Sequence, residues 1–280
     1  GDHLDLHSFP TRRSSDLGGQ FNYAKQVPGK EEFHETLRYF GQMLKHHAVT
    51  LRLGSLQTAQ SLASGGFDEI VIASGIQPRT LEIPGSGHAK VLSYLDVLRD
   101  HKPVGATVAV IGAGGIGFDI AEYLTEPHSL TLQPEAWLKD WGIDAGYQSR
   151  GALLPAEISP PAARKIYLLQ RKTSKVGAGL GKTTGWIHRS SLKKKAVEMI
   201  AGVQYLRVDD DGLWIELDGQ QRCLDVDHVV ICAGQESLRT LHDELTAQGV
   251  QSHLIGGAFV AAELDAKRAI RQGAELAARI

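Results

Sequence analysis

The sequence predicts an α/β fold, a parallel sheet with helices packed on it and an antiparallel piece late in the chain. Three observations predict it. The apolar run Ala106–Ile111 (ATVAVI) enters the glycine turn Gly112-Ala113-Gly114-Gly115-Ile116-Gly117, and an apolar-periodic stretch continues to about Leu124. Further apolar runs alternate with helical periods before and after that turn, as strands joined by helices do. Asp218-Gly219 stands between two alternating stretches, which is a hairpin signal.

The elements follow in order. Residues 1–17 show no sustained period of either kind. Phe33, Leu37, Phe40, Met43, Leu44 and His47 recur at helical spacing and predict a helix over 30–47. Strands are expected over 49–53 and 67–74, the second ending at Gly75. A short helix is expected over 94–98, with Ser93 as its cap. After the glycine turn and its helix, residues 125–163 are a Pro-containing insertion with one helix over 136–141. An apolar strand over 165–170 (KIYLLQ), a helix over 183–195 and several short strands over 196–231 come next. Turns are expected at Asp209–Gly212 and Asp218-Gly219. A helix over 238–248, a strand over 253–255 and a long helix from about Glu263 close the chain.

Composition excludes several classes. The chain has 280 residues, 30 Lys plus Arg against 32 Asp plus Glu, and a formal net charge of −2. That balance argues against a nucleic-acid binder, whose affinity rests on many phosphate contacts. No apolar run reaches the roughly 18 residues of a membrane span, and no signal-peptide pattern is present. Cys223 and Cys232 form no CxxC motif and no zinc or iron–sulfur ligand set. No Ser–His–Asp order or HExxH pattern stands in the sequence. The expectation is a soluble cytoplasmic protein with reduced thiols.

The glycine turn carries the chemistry. In GxGxxG, Gly112 allows the tight turn, Gly114 lets backbone approach a diphosphate, and Gly117 lets helix and strand pack closely. Gly115 and Ile116 add backbone N–H groups at a helix start, which favours an anion. An acidic residue about 20 positions on, which would bind a ribose hydroxyl, is not cleanly offered. Arg171-Lys172 instead follows the next apolar strand, and a basic pair there suits a 2′-phosphate, hence NADP. Gly177–Trp186 (GAGLGKTTGW) has Val176 where a nucleoside-triphosphate loop needs glycine; the segment with Lys182 is read as a basic lid over the same phosphate, and an ordinary approach to the helix fits its glycines and Lys182 as well. Ala73 and Gly75, and later Gly234, end apolar strands in small residues that leave room for a cofactor. Gly18-Gly19-Gln20 and Gly256-Gly257 are further close-approach candidates. His47 and His188 are expected to be packed or surface helix residues, and Asp209–Asp211 a solvated turn.

These residues together resemble a known family. GGQFNYAKQVPGKEEFHETLRYF, VAVIGAGGIGFDIAEYL, LLQRKTSKVGAGLGKTTGWIHR, VVICAGQE and ELDAKRAIRQGAELA are similar to the C-terminal FAD- and NADPH-binding part of bacterial NADPH-dependent 2,4-dienoyl-CoA reductases. These enzymes join an Old-Yellow-Enzyme-like barrel to two dinucleotide-binding domains. The resemblance spans about 18–280. It implies a Rossmann-like NAD(P)-binding domain over 105–231, inserted into an incomplete FAD-binding domain over 18–104 and 232–280 of the two-dinucleotide-binding-domain flavoprotein type.

It also implies an electron relay in which NADPH reduces FAD, electrons cross a 4Fe-4S cluster to FMN, and FMN reduces a 2,4-dienoyl-CoA thioester in unsaturated fatty acid β-oxidation. By the same resemblance Gly112, Gly114 and Gly117 contact the NADP diphosphate and Arg171 and Lys172 its 2′-phosphate. Gly18, Gly19, Gln20, Gly256 and Gly257 contact FAD. The family's first FAD-binding βαβ unit would precede GGQF. HSFPTRRSSDL stands there instead, and residues 1–17 are expected to be a non-native tail. Phe259 stands where the family pattern is acidic. The barrel, with its FMN and cluster sites, is expected on a missing N-terminal part or an equivalent partner chain. No catalytic side chain and no metal ligand are expected in this sequence. Two other readings remain open: another FAD-dependent pyridine-nucleotide oxidoreductase subunit, and an inactive NADP-binding fragment.

Overall fold

The computed structural model describes residues 7–8, 16–126, 128–154, 161–261 and 266–280. In chain order, β1 (His7–Ser8) is followed by α1 (Phe21–Ala24) and α2 (Phe33–His46), the helix expected over 30–47. β2 (Thr50–Leu51) and β3 (Val71–Ile72) are shorter than the runs that predicted them, because each has one partner strand of two residues. Between them lies α3 (Ala59–Ala63), which the sequence did not announce. Its capping box pairs Thr58 with Ser61, and the usual signal has Glu or Gln at that third position. β4 (Ile76–Pro78) and β5 (Val91–Ser93) precede α4 (Tyr94–Leu98). Ser93 caps α4 as expected, its hydroxyl accepting from the Asp96 N–H at 3.2 Å while Asp96 Oδ2 accepts from the Ser93 N–H at 2.7 Å.

β6 (Thr107–Ile111), α5 (Gly115–Thr125), α6 (Pro134–Asp140), β7 (Lys165–Leu169) and α7 (Gly185–Lys194) follow the sequence expectation closely. The short strands are β8 (Glu198–Ile200), β9 (Gln204–Asp209), β10 (Gly212–Leu217), β11 (Gln220–Leu224) and β12 (His228–Ile231). β13 (Gln235–Ser237), α8 (Thr240–Ala247), β14 (His253–Leu254), α9 (Gly256–Phe259) and α10 (Ala266–Ala277) complete the chain. The start expected for the last helix at Glu263, most of the 1–17 tail and part of the 125–163 insertion lie outside the described residues.

By their contacts the described residues divide into two compact units. One lies within Asn22–Phe33 and Thr80–Ala233 and holds a five-stranded sheet in the order β5-β12-β6-β7-β8, all pairs parallel. β6 alternates between two cores. Val108 and Val110 face α4, α5 and α7, while Ala109 and Ile111 face the antiparallel meander β9-β10-β11. A strand covered on both faces has no polar side to show, which is why ATVAVI reads as an unbroken apolar run. Burying each Val, Ile or Leu there contributes about 1.5–3 kcal/mol. The meander turns at Asp218-Gly219, both with positive φ (51° and 75°), the geometry a two-residue hairpin demands. This unit reaches beyond the expected 105–231: β5 joins the sheet through β12, and α4 packs into the same core.

The other unit lies within Gly1–Phe21, His34–Arg79 and Gly234–Ile280. Among the described residues its strands pair two by two: β1 with β2, β3 with β14 in parallel, and β4 with β13 antiparallel. A small core of Ala59, Leu62, Ile70, Ile72, Leu245 and Ala258 holds it. The fold as a whole is α/β. No helix among the described residues is long and apolar enough to cross a membrane.

Candidate dinucleotide-binding site

β6 has its successor β7 on one side and the late strand β12 on the other. The chain thus leaves β6 in one direction and returns on the opposite side, and ligands of open α/β sheets bind at such a switch point. The glycine turn lies there. The Gly112 N–H donates to Leu169 O at 2.9 Å, and the Cys232 N–H donates to Ile111 O at 2.8 Å. Gly112 has φ 108°, and a Cβ on it would stand 2.8 Å from the Cys232 carbonyl carbon. A Cβ on Gly117 would fall 1.7 Å from Gly112 O, so this glycine brings α5 against its own strand.

Gly114 and Gly115 differ. A Cβ on either would meet nothing within 4 Å, both are exposed, and Gly114 is the N-cap of α5 with no side-chain cap. The Gly115, Ile116 and Gly117 N–H groups occupy the first turn, where no intrahelical carbonyl precedes them. Open space, unspent donors and the positive end of α5 coincide.

Arg171 and Lys172 are exposed just beyond β7, the strand beside β6. The loop is pinned from below, since the Gly202 N–H donates to Lys172 O at 3.0 Å and Gln170 Nε2 donates to the same oxygen at 2.9 Å. Burial pushes the Tyr205 phenol up, and the Arg171 charge opposes it. Lys182 is exposed on the turns that precede α7.

In the other unit the candidates separate. Gly18-Gly19-Gln20 form a turn into α1, the Phe21 N–H donating to Gly18 O at 3.0 Å, and a Cβ on Gly19 would meet nothing within 4 Å. Ala73 is exposed after β3, and Gly75 also faces open space. Gly234 accepts from the Arg79 N–H at 3.2 Å, and a Cβ on it would stand 3.3 Å from the Arg79 guanidinium. Gly256 and Gly257 need no ligand to explain them. A Cβ on Gly257 would lie 2.8 Å from Ile76 Cγ2, and the Gly256 N–H donates to Gln272 Oε1 at 2.7 Å. α9 is one four-residue turn, with Gly257 set against Ile76. Gln235 was not singled out by the sequence. Its Nε2 is buried, with no hydrogen-bond partner among the described residues.

Residues 18–266 match the family described as pyridine nucleotide-disulphide oxidoreductase. The chain belongs to that family. It is 24% identical over 250 residues to a metal reductase of Desulforamulus reducens, covering 88% of this chain and 36% of that protein. It is 25% identical over 247 residues to a cinnamate reductase of Clostridium sporogenes, covering 86% and 31%. The solved structure of a 2-naphthoyl-CoA reductase complex shares the fold, with a TM-score of 0.78 at 20% identity over 99% of this chain and 36% of that one. The chain spans about a third of the length of these relatives.

The pyridine nucleotide-disulphide oxidoreductase fold is that of two-dinucleotide-binding-domain flavoproteins. In this member both cysteines are free thiols. Cys223 lies on β11 and Cys232 just after β12, and burial pushes both thiols up. Raised thiols supply little of the thiolate that disulphide exchange needs. Among the described residues no group of His, Cys, Asp and Glu could hold a metal ion.

Proposed function

We propose that this chain is the NADPH-side module of a flavin-dependent reductase, binding NADPH at the turn 112–117 and passing its hydride to FAD. One observation carries the reading: packing accounts for Gly112 and Gly117, whereas Gly114 and Gly115 border empty space at an uncapped helix start. A diphosphate fits that space and those donors. The N–H groups of Gly115, Ile116 and Gly117 bind it, Arg171 and Lys172 grip the 2′-phosphate, and Lys182 covers the anion.

For FAD, the open faces of Gly19 and Gly75 and the partnerless Gln235 amide offer close approach and one donor. FAD, when bound, supplies the hydride acceptor, and the cofactors carry the redox chemistry. This chain's own residues bind and orient, and none is needed as acid or base. The resemblance to 2,4-dienoyl-CoA reductases supports a dienoyl-CoA thioester as the final acceptor. The 4Fe-4S cluster, FMN and thioester site would then belong to a barrel domain or an equivalent chain in the cytoplasm. A second reading, favoured by the metal and cinnamate reductases among the relatives, keeps the NADPH site and changes only the final acceptor.

Calorimetric titration with NADPH tests the site. Saturable binding is expected, and a flat trace at millimolar NADPH overturns it. Arg171→Ala is expected to lower the preference for NADPH over NADH about tenfold, or ~1.4 kcal/mol. An unchanged ratio removes the basic pair from the site. With FAD loaded, NADPH should bleach the flavin absorbance. Trials with dienoyl-CoA, cinnamate and ferric acceptors then separate the two readings.

A further inference from the structure

The loop before α7 is fastened to the helix that begins at the glycine turn. Val176 is buried, and a Cβ on Gly177 would stand 2.7 Å from Phe118 Cζ, in the first turns of α5. Arg189 Nη1 donates to Gly177 O at 2.9 Å, folding the loop back on α7. Gly185 packs on Leu180, where a Cβ would come within 2.8 Å. One polar contact then joins the two helices directly: His188 Nδ1 lies 2.8 Å from Glu122 Oε1, with the Glu122 side chain 9% exposed and that of His188 32% exposed. A carboxylate buried on a helix that otherwise presents Ile120, Ala121 and Leu124 to the core needs a stated reason. Packing gives none, since an apolar side chain would fill the position.

We infer that His188 is a positioning residue for nucleotide binding, its pairing with Glu122 holding the loop that carries Lys182 against the first turn of α5. The inference rests on the NADPH site proposed above. It gives Lys182 a fixed reach toward the diphosphate and so reduces the ordering cost of binding.

The pairing has a pH signature. Glu122 holds the imidazole above its usual value, with burial pulling the other way. The further charges facing His188 are Asp119, also on α5, and Lys30 from the segment before α2, which pair with each other at 2.6 Å. Beyond Glu122, burial raises the Glu126 carboxyl, and Lys195 opposes that. A raised folded value means the ionic pairing is fully present below the ordinary imidazole pKa of about 6.5 and is lost as pH rises through the raised value. The second ionisation of the nucleotide's 2′-phosphate, near about pH 6, works the other way and is common to all variants.

The test is the NADPH dissociation constant between about pH 6 and pH 9 for the full chain, with folding of each variant checked by circular dichroism. Wild-type affinity is expected to fall about fivefold toward the alkaline end. His188→Gln and Glu122→Gln should each bind more weakly at the acidic end, lose the alkaline fall so that only the rise from the 2′-phosphate ionisation remains, and combine without further loss. Lys182→Ala should lose the alkaline fall too, because His188 acts through that loop. As an exposed residue, Lys182 also carries the test if a Glu122 variant fails to fold. A His188→Gln protein that keeps the wild-type pH profile overturns the inference and leaves the NADPH site standing. A wild-type chain that binds no NADPH at any pH overturns the proposed function instead.

Discussion

The two units use glycine in opposite ways. Around β6, four turn glycines divide into a packing pair, Gly112 and Gly117, and a pair bordering empty space, Gly114 and Gly115, and all four are fixed at one strand end. In the other unit the conspicuous pair, Gly256-Gly257, is taken up by Gln272, Ile76 and Gly75, and the two candidate glycines that border open space, Gly19 and Gly75, stand far apart in sequence. A strand hydrogen-bonded on both sides aims its terminal turn. Two-residue strands with one partner each do so far less, since their ends are set by a few backbone bonds. A binding turn is legible where the sheet under it is deep.

This contrast can be broken by adding single methyl groups. Gly117→Ala should have the largest effect. Its Cβ collides with backbone at 1.7 Å, so chemical denaturation should show a loss of more than about 3 kcal/mol, or no folded protein. Gly257→Ala should cost less, about 1–3 kcal/mol, because its Cβ would meet Ile76 Cγ2 at 2.8 Å and the Gly75 backbone at 3.1 Å, contacts less severe than 1.7 Å. Its melting temperature should fall, and unchanged stability would count against packing as the reason for that pair. Gly114→Ala should leave stability within about 0.5 kcal/mol and weaken NADPH about tenfold. Undiminished affinity there would remove the diphosphate from the turn.

Much of the unit around β6 was legible because its signals are local. ATVAVI is apolar on both faces, GAGGIG follows at once, Ser93 and Asp96 cap α4 three residues apart, and Asp218-Gly219 makes its own turn. What was missed depends on distant partners. β4 ends in Pro78 and β13 reads Gln-Glu-Ser, neither a strand by composition, and each exists because the other pairs with it across more than a hundred and fifty residues. The pair Gly256-Gly257 shows that glycine marks close approach without saying to what, here to Ile76 and the Gly75 backbone. His188 could be read as a helix residue, but nothing in the sequence shows Glu122 lying 2.8 Å from it.

The place of β12 between β5 and β6 has a consequence for how the protein is made. During synthesis the ribosome must add about 120 residues after Ile111 before β6 acquires its second neighbour. Until then one flank of the central strand, and one wall of the crevice at its tip, do not exist. Such distant pairing slows folding and leaves an apolar strand edge available to other nascent chains. On the NADPH site proposed above, nucleotide capture would have to wait for this pairing, late in the making of each molecule.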